Sequence, residues 1–316
     1  MTTLCEELEA QRPLGPVAAS FGVFDGVHRG HLHVIEQLKR SAAARGLIPV
    51  VVTLSNNPLS VLRPEVPVVQ IISLRERLDL LRASGVERVV PVTFTLDMSL
   101  LSAEEFMHAL CDCLGLRHLL VGPDFALGHG REGTPQYMAT LGADMGYTVE
   151  TATPFELDGV SVRSTAIRQI LAAGDIEAAA KLLGRPFALD GPVVEGEGRG
   201  GGLLGFPTAN LGLSPLQALP ADGVYATWIT VEGVRYPSAT SVGIKPTFHD
   251  EAPRVIEAFV LDFDGNLYGK HARLEFVKRL RGQERFDGVD ALVAKMTQDI
   301  GETRAVLAHA AASGKA

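Results

Sequence analysis

The sequence is short of several things that would have decided its class at once. It has three cysteines in 316 residues, Cys5, Cys111 and Cys113, too few for a disulfide framework. The spacing of Cys111 and Cys113 does not suit a zinc pair, so the expectation is reduced thiols in a cytoplasmic protein. There is no excess of positive charge. The net charge of −8 excludes a global attraction to nucleic acid or an anionic membrane and leaves only local positive sites for phosphate. No apolar run is long enough for a membrane span, and an opening that carries Glu6, Glu7 and Glu9 does not read as a signal peptide. With 46% hydrophobic and 21% charged residues, the composition is that of an ordinary globular chain, and the length suggests two domains.

What is present begins with a strand–turn–helix stretch. Residues 17–24 form an apolar run that reads as a buried strand. Gly22 and Gly26 permit a tight turn. After Phe24, Asp25, Gly26 and Val27 come His28, Arg29, Gly30 and His31, and then an amphipathic helix with Leu32, Val34, Ile35 and Leu38 on one face. Two imidazoles at a helix N-terminus make a phosphate site, because the helix end offers unpaired N–H groups and imidazoles donate hydrogen bonds to phosphoryl oxygens. Further strands are predicted at 47–54, 89–94, 119–122 and 147–151. The intervening helices include 72–81 and one opened by a Ser102…Glu105 capping box. Alternation of this kind implies a mostly parallel sheet with helices on both faces and ligands beyond the carboxyl ends of the strands. Asp124 follows the fourth strand, as either a pocket residue or a turn former. Ser164 and Thr165 place hydroxyls at a helix start, and Arg168 lies one turn later on the face of Ser164, a grouping suited to triphosphate oxygens.

The pattern changes after about residue 184. Short strands separated by Gly and Pro turns (191–195, 224–231, 256–263, 271–277) suggest a small antiparallel barrel. A helix over 290–309 follows, with Leu292, Met296, Ile300 and Val306 as packing residues. The glycine-rich stretch that includes Gly196, Gly198 and Arg199 is not a dinucleotide fingerprint, since no helix follows it, and it does not end in Gly-Lys-Ser/Thr. Beyond it Pro207 fixes the backbone of an extended segment, from which Thr208 and Asn210 point the same way. Their oxygens suit Mg²⁺ bound with ATP phosphates. Glu257 stands in an otherwise apolar strand, where a carboxylate needs a reason such as general-base work. Lys245 is a candidate phosphate or ligand neighbour, and Arg279 and Arg281 read either as ligand contacts or as a solvated basic face.

These residues carry a resemblance. His28-Arg29-Gly30-His31 resembles the HxGH signature of nucleotidyltransferases, and Pro207-Thr208-Ala209-Asn210 resembles the PTAN motif of riboflavin kinases. Over roughly residues 15–300 the chain resembles the bacterial bifunctional riboflavin kinase/FAD synthetase family. The resemblance implies an α/β fold. A Rossmann-like nucleotidyltransferase domain over 1–184 would precede an antiparallel β-barrel kinase domain with a C-terminal helix over 185–316. It implies phosphorylation of riboflavin by ATP to FMN, then adenylylation of FMN to FAD with release of pyrophosphate. Mg²⁺ accompanies ATP, and the flavins are substrates and products. His28, His31, Ser164, Thr165 and Arg168 carry over as ATP-phosphate residues, and Gly22, Phe24, Gly30 and Asp124 as pocket residues. Gly196, Gly198, Arg199, Pro207, Thr208 and Asn210 carry over as the kinase nucleotide site, with Glu257 as its base. Two positions depart from the family: Asn57 stands where a histidine is usual, and Val23 where an asparagine is frequent. The alternatives are a kinase with an impaired synthetase domain, a nucleotidyltransferase for another phosphorylated substrate, and a flavin-binding regulator without turnover.

Overall fold

Apolar runs without polar alternation make strands that bury both faces, and the first half of the chain supplies five. The computed structural model describes residues 2–195, 208–244 and 254–312. The protein divides into two compact units, Met1–Ser164 and Thr165–Ala316. This division falls twenty residues before the boundary that composition suggests, because the helices after Ser164 make their contacts within the second unit.

The first unit opens with α1 (Thr2–Glu9). It then runs β1 (Val17–Gly22), α2 (Arg29–Arg45), β2 (Ile48–Leu54), α3 (Pro58–Leu62), α4 (Leu74–Ala83), β3 (Arg88–Val92), α5 (Leu96–Leu100) and α6 (Ala103–Ala109). A π-helical turn (Leu110–Leu114), β4 (Leu116–Val121), α7 (Pro135–Met145), β5 (Thr148–Thr151) and a small hairpin of β6 (Glu156–Leu157) and β7 (Val160–Ser161) complete it. The main sheet is parallel, in the order β3-β2-β1-β4-β5. Val17, Ala19, Val50, Val52, Leu119 and Val121 share a core with α1 and α6. Ala18, Val51 and Leu120 alternate to the other face and are fully buried there. Helix α2 packs on β1, β2 and β4, with Ile35, Leu38 and Ala42 buried. Strand order reverses between β1 and β4, so the ligand crevice of such a sheet lies beyond Gly22 and Val121.

Local signals hold in detail. Gly46 closes α2 in the left-handed conformation at φ 64°, and Ser102 and Glu105 form the reciprocal capping box. Two expectations are corrected. Leu32 is exposed, because the buried face of α2 centres on Ile35, Leu38 and Ala42 and Leu32 stands to one side of it. Cys5 and Cys113 are not free thiols: they form a disulfide with their Cα atoms 5.3 Å apart. Their separation of 108 positions hides from the sequence that α1 packs against the π-helical turn. Cys111 remains a buried thiol whose pKa burial pushes up to about 11.

The second unit takes the rest of α8 (Ser164–Ala173) and then α9 (Ile176–Leu183), β8 (Phe187–Val194), β9 (Thr208–Leu211), β10 (Gly223–Val231), β11 (Val234–Ile244), β12 (Arg254–Val260), β13 (His271–Arg281) and α10 (Val289–Ala312). Six strands close an antiparallel barrel in the order β10-β11-β12-β9-β8-β13. Phe187, Tyr225 and Phe276 fill its centre with tilted and edge-on ring contacts. Strand β11 escapes a reading for apolar alternation because its inward positions include Ser238 and Thr240. Their hydroxyls are fully buried and satisfied by Thr227 Oγ1 at 2.6 and 2.7 Å. Helix α10 buries Asp299, Thr303, Leu307 and Ala310, whereas the expected packing residues Leu292, Met296, Ile300 and Val306 are only half-buried. A carboxylate takes the inward place because Arg281 on β13 binds it in two-pronged fashion, at 3.0 and 2.7 Å.

Candidate active sites

The first site grows from the turn between β1 and α2. Phe24 (φ 53°), Gly26 (φ 83°) and Val27 (φ 36°) all lie in left-handed territory. For a β-branched residue such as Val27 that conformation is a genuine outlier, and strain of this kind costs on the order of 1–3 kcal/mol per residue. It persists only where the surroundings impose it, and here the loop is held at several points. The Asp25 carboxylate accepts the backbone N–H groups of Ile71 (3.0 Å) and Ile72 (3.4 Å). The Asp25 carbonyl accepts the Ser164 hydroxyl at 2.9 Å. The Val23 carbonyl accepts both Thr53 Oγ1 (3.1 Å) and the Arg77 guanidinium (2.7 Å).

The loop delivers His28 as the N-cap of α2. Its Nδ1 accepts the His31 backbone N–H at 3.3 Å, a task that usually falls to Ser, Thr, Asp or Asn. The two imidazoles stack with centroids 3.6 Å apart and planes 16° from parallel, and the Phe24 ring meets His31 edge-on at 5.1 Å. Gly30 is required by space: a Cβ there would stand 2.8 Å from the Val162 carbonyl and 3.2 Å from the His28 ring. Gly22 is similarly close to the Phe24 ring, at 3.2 Å. The His31 pKa lies well below its usual value. Burial is the main cause, followed by the charges of His28 and Arg77, so His31 is a neutral ring at pH 7.

Of the expected residues, Gly22, Phe24, His28, Gly30, His31 and Ser164 are linked by these contacts. Ser164 is itself the first residue of α8, not the residue before it, and its hydroxyl turns back to Asp25. Thr165 and Arg168 continue the same helix, in the part that belongs to the second unit. Asp124 is exposed in the turn after β4 and pairs with Arg163 at 2.9 Å. Phe125 packs edge-on against Phe21 in the core. Asn57 caps α3 by accepting the Leu59 N–H at 3.0 Å. Sequence reasoning missed Asp25 and Arg77. Nothing in the sequence signals either: Arg77 is buried on α4 at 2% exposure, where its spacing reads as an ordinary helix position.

The second site lies on the barrel. Asn210 on β9 stands directly opposite Glu257 on β12, and Glu257 in turn opposite Ser241 on β11. Opposed residues of neighbouring strands project to the same face, so amide, carboxylate and hydroxyl share one patch. Thr208 follows two residues along β9, opposite Phe259. Strand β12 is flanked on both sides, so Glu257 is not an edge-strand glutamate. Hard oxygen donors of this kind fit a divalent cation that also binds phosphates. Among the described residues no cluster of three or more His, Cys, Asp or Glu side chains makes a separate metal site. Thr208 also borders a pocket lined by Val193, Val260, Phe263, Leu267 and Tyr268, which the sequence did not signal. Gly196, Gly198, Arg199, Pro207 and Lys245 lie outside the described residues. Arg279 and Arg281 are tied into the framework, Arg279 to the Asp222 carbonyl at 2.7 Å and Arg281 to Asp299.

Comparison with known proteins finds a match for each half of the chain. The family model described as FAD synthetase matches residues 11–166, and that described as riboflavin kinase matches residues 183–307. A bifunctional riboflavin kinase/FMN adenylyltransferase of Pseudomonas fluorescens is 36% identical, with 93% of this chain and 94% of the relative covered. One from Bacillus subtilis is 35% identical over 89% of each chain. A solved structure described as a macrolide-efflux protein from Streptococcus pneumoniae superposes with a TM-score of 0.84 at 30% identity, covering 93% of this chain and 95% of that one. In the present chain no helix among the described residues is long and apolar enough to cross a membrane.

Proposed function

The chain belongs to the bifunctional riboflavin kinase/FMN adenylyltransferase family, and from that premise we propose how its residues divide the work. The enzyme phosphorylates riboflavin with ATP to give FMN, then joins AMP from a second ATP to FMN, giving FAD and pyrophosphate. We assign the second reaction to residues 1–184 and the first to residues 185–316. The two matched family regions support that partition.

In the kinase reaction Glu257 accepts the proton of the ribityl 5′-hydroxyl as its oxygen bonds to the γ-phosphorus and ADP departs. The observation that carries this reading is the direct pairing of Glu257 with Asn210. It gives a base and an oxygen ligand one shared patch. Mg²⁺ would be held by the oxygens of Thr208 and Asn210 together with ATP phosphates, and would supply charge neutralisation. Gly196, Gly198, Arg199 and Pro207, which lie outside the described residues, are assigned to the same nucleotide on the strength of their motifs. The apolar pocket beside Thr208, with Phe263 and Tyr268 in its lining, is the place assigned to the purine of ATP.

In the adenylyl transfer the FMN phosphate is already anionic and attacks the α-phosphorus directly, so the protein supplies position and charge stabilisation and no nucleophile. His28 and His31 donate hydrogen bonds to phosphoryl oxygens, and His31 does so as a neutral ring. Ser164, Thr165 and Arg168 hold the remaining phosphate oxygens. Gly22, Phe24, Gly30 and Asp124 shape the pocket. The substrates are small molecules, with no role for nucleic acid or membrane, and the cytoplasm is where they occur.

The test is a pair of variants of the full chain, followed by chromatography of the flavins. His28→Ala should abolish FAD formation and leave FMN formation intact. Glu257→Ala should lower FMN formation by about 10²–10⁴-fold yet still convert supplied FMN to FAD. Loss of both reactions in either folded variant would defeat the two-site assignment.

A further inference from the structure

Arg77 is the least expected charged residue of the first unit. It lies on α4, is 2% exposed, and belongs to none of the motifs that mark the phosphate site. Its guanidinium makes three hydrogen bonds, all to main-chain carbonyls: Val23 at 2.7 Å, Leu54 at 2.9 Å and Ser55 at 3.0 Å. Val23 is the first residue past β1, while Leu54 and Ser55 end and follow β2. One side chain therefore joins the carboxyl ends of the two adjacent strands at the edge of the ligand crevice. The rigid, forked donor set of arginine can do this, whereas the single ammonium of lysine cannot reach all three carbonyls in one geometry.

The counter-charge is Asp25, 4% exposed, whose carboxylate acts on the guanidinium. Asp25 belongs to the turn itself and is tied to Ile71 and Ile72, just before α4. The turn between Val23 and His28 is thus held at one end by Arg77 and in the middle by Asp25. Between and beyond these ties lie the two strained residues, Phe24 and Val27. A turn in that conformation relaxes when a restraint is removed, and His28 and His31 move with it, because His28 follows Val27 directly.

We propose that Arg77 is a positioning residue for adenylyl transfer: its bridge from the β1 end to the β2 end holds the strained Phe24–Val27 turn in the conformation that presents His28 and His31 to phosphate. The proposal rests on the assignment of adenylyl transfer to the first unit. The bridge contributes geometry and makes no contact with substrate, so its loss is felt in turnover more than in binding.

The same polypeptide carries its own control, the kinase reaction of the barrel. In full-length Arg77→Gln, kcat for conversion of FMN to FAD should fall about 100-fold, the scale of a displacement of roughly 1 Å at a reacting centre. KM for ATP should change less than threefold, and riboflavin phosphorylation should stay within twofold of the unaltered chain. Arg77→Lys, which keeps the charge but not the fork, should recover only part of the loss. Hydrogen exchange in Arg77→Lys should be faster at residues 24–28 and unchanged in β4 and β5. Should Arg77→Gln not fold, the lysine variant and its exchange pattern decide. FAD formation within threefold of normal in a folded glutamine variant, or unaltered exchange at 24–28 in the lysine variant, would overturn the proposal. If the unaltered chain made no FAD, the assignment of the reaction would fail, and the exchange measurement would still test the restraint on the turn.

Discussion

Three influences keep the proton off His31: the enclosure of its ring, the neighbouring His28 and the fixed charge of Arg77, in that order. The consequence for stability has a definite sign. In the unfolded chain a histidine titrates near 6.5, whereas in the native fold His31 does so well below that. Above about pH 6.5 both states leave it neutral. As pH falls below that value the unfolded state takes up a proton that the native state refuses, so stability declines until the folded pKa is reached. His31 alone should contribute a slope of at most about 1.4 kcal/mol per pH unit in that window. Thermal melts between pH 7.5 and 5 should show the first unit losing stability on acidification, with a shallower loss in His31→Asn; identical slopes would contradict the account of His31. The departures from the family at positions 23 and 57 also become intelligible at this scale. Val23 serves through its main-chain carbonyl, which any side chain leaves available. Asn57 serves as a helix cap. The grouping of His28, Gly30 and His31 at one helix start was legible because the three stand together in the sequence, and that of Asn210 with Glu257 shows only in the strand pairing. Arg77 and Asp25 were not legible, because their partners are main-chain atoms 22 to 54 residues away.

Elements were legible wherever one face decides burial. The parallel strands read as apolar runs, and the capping box and Gly46 mark helix ends. Two failures have physical causes. The start of α2 is masked because a histidine performs the cap, and the inward face of α10 is masked because its central residue is Asp299. The second case can be tested. Arg281 and Asp299 are both largely enclosed, with side-chain exposures of 14% and 6%, and their bond is the enclosed polar tie between α10 and the barrel, beside the exposed pair of Arg304 with Asp262. Removing one partner leaves the other buried without its counter-charge. Asp299→Ala should cost on the order of 3 kcal/mol, read as a lower urea midpoint for the barrel transition. The double variant Arg281→Met/Asp299→Leu should recover most of that loss, since an apolar pair of similar size avoids the stranded charge. A single variant as stable as the parent would contradict a stabilising role for the Arg281–Asp299 pair. The disulfide between α1 and the π-helical turn belongs to the same scale: nothing in the local sequence of either segment announces a neighbour more than a hundred residues away.

At the scale of the whole molecule, the chain divides into two compact units, and the proposal assigns it two reactions. Composition and periodicity reach a two-domain, ATP-using protein. The motifs and the family to which the chain belongs supply the order of the reactions. The border between units was the least legible feature. Helices α8 and α9 are apolar on one face, a pattern that serves either neighbour, and α9 packs against β8 and β13 of the second unit. The most direct test of a two-step enzyme on one chain is a time course of riboflavin, FMN and FAD with the purified full-length protein, riboflavin, ATP and Mg²⁺. FMN should rise first and FAD should follow at its expense. FMN that accumulates without conversion would contradict adenylyl transfer by the first unit, and riboflavin that remains unchanged would contradict both assignments.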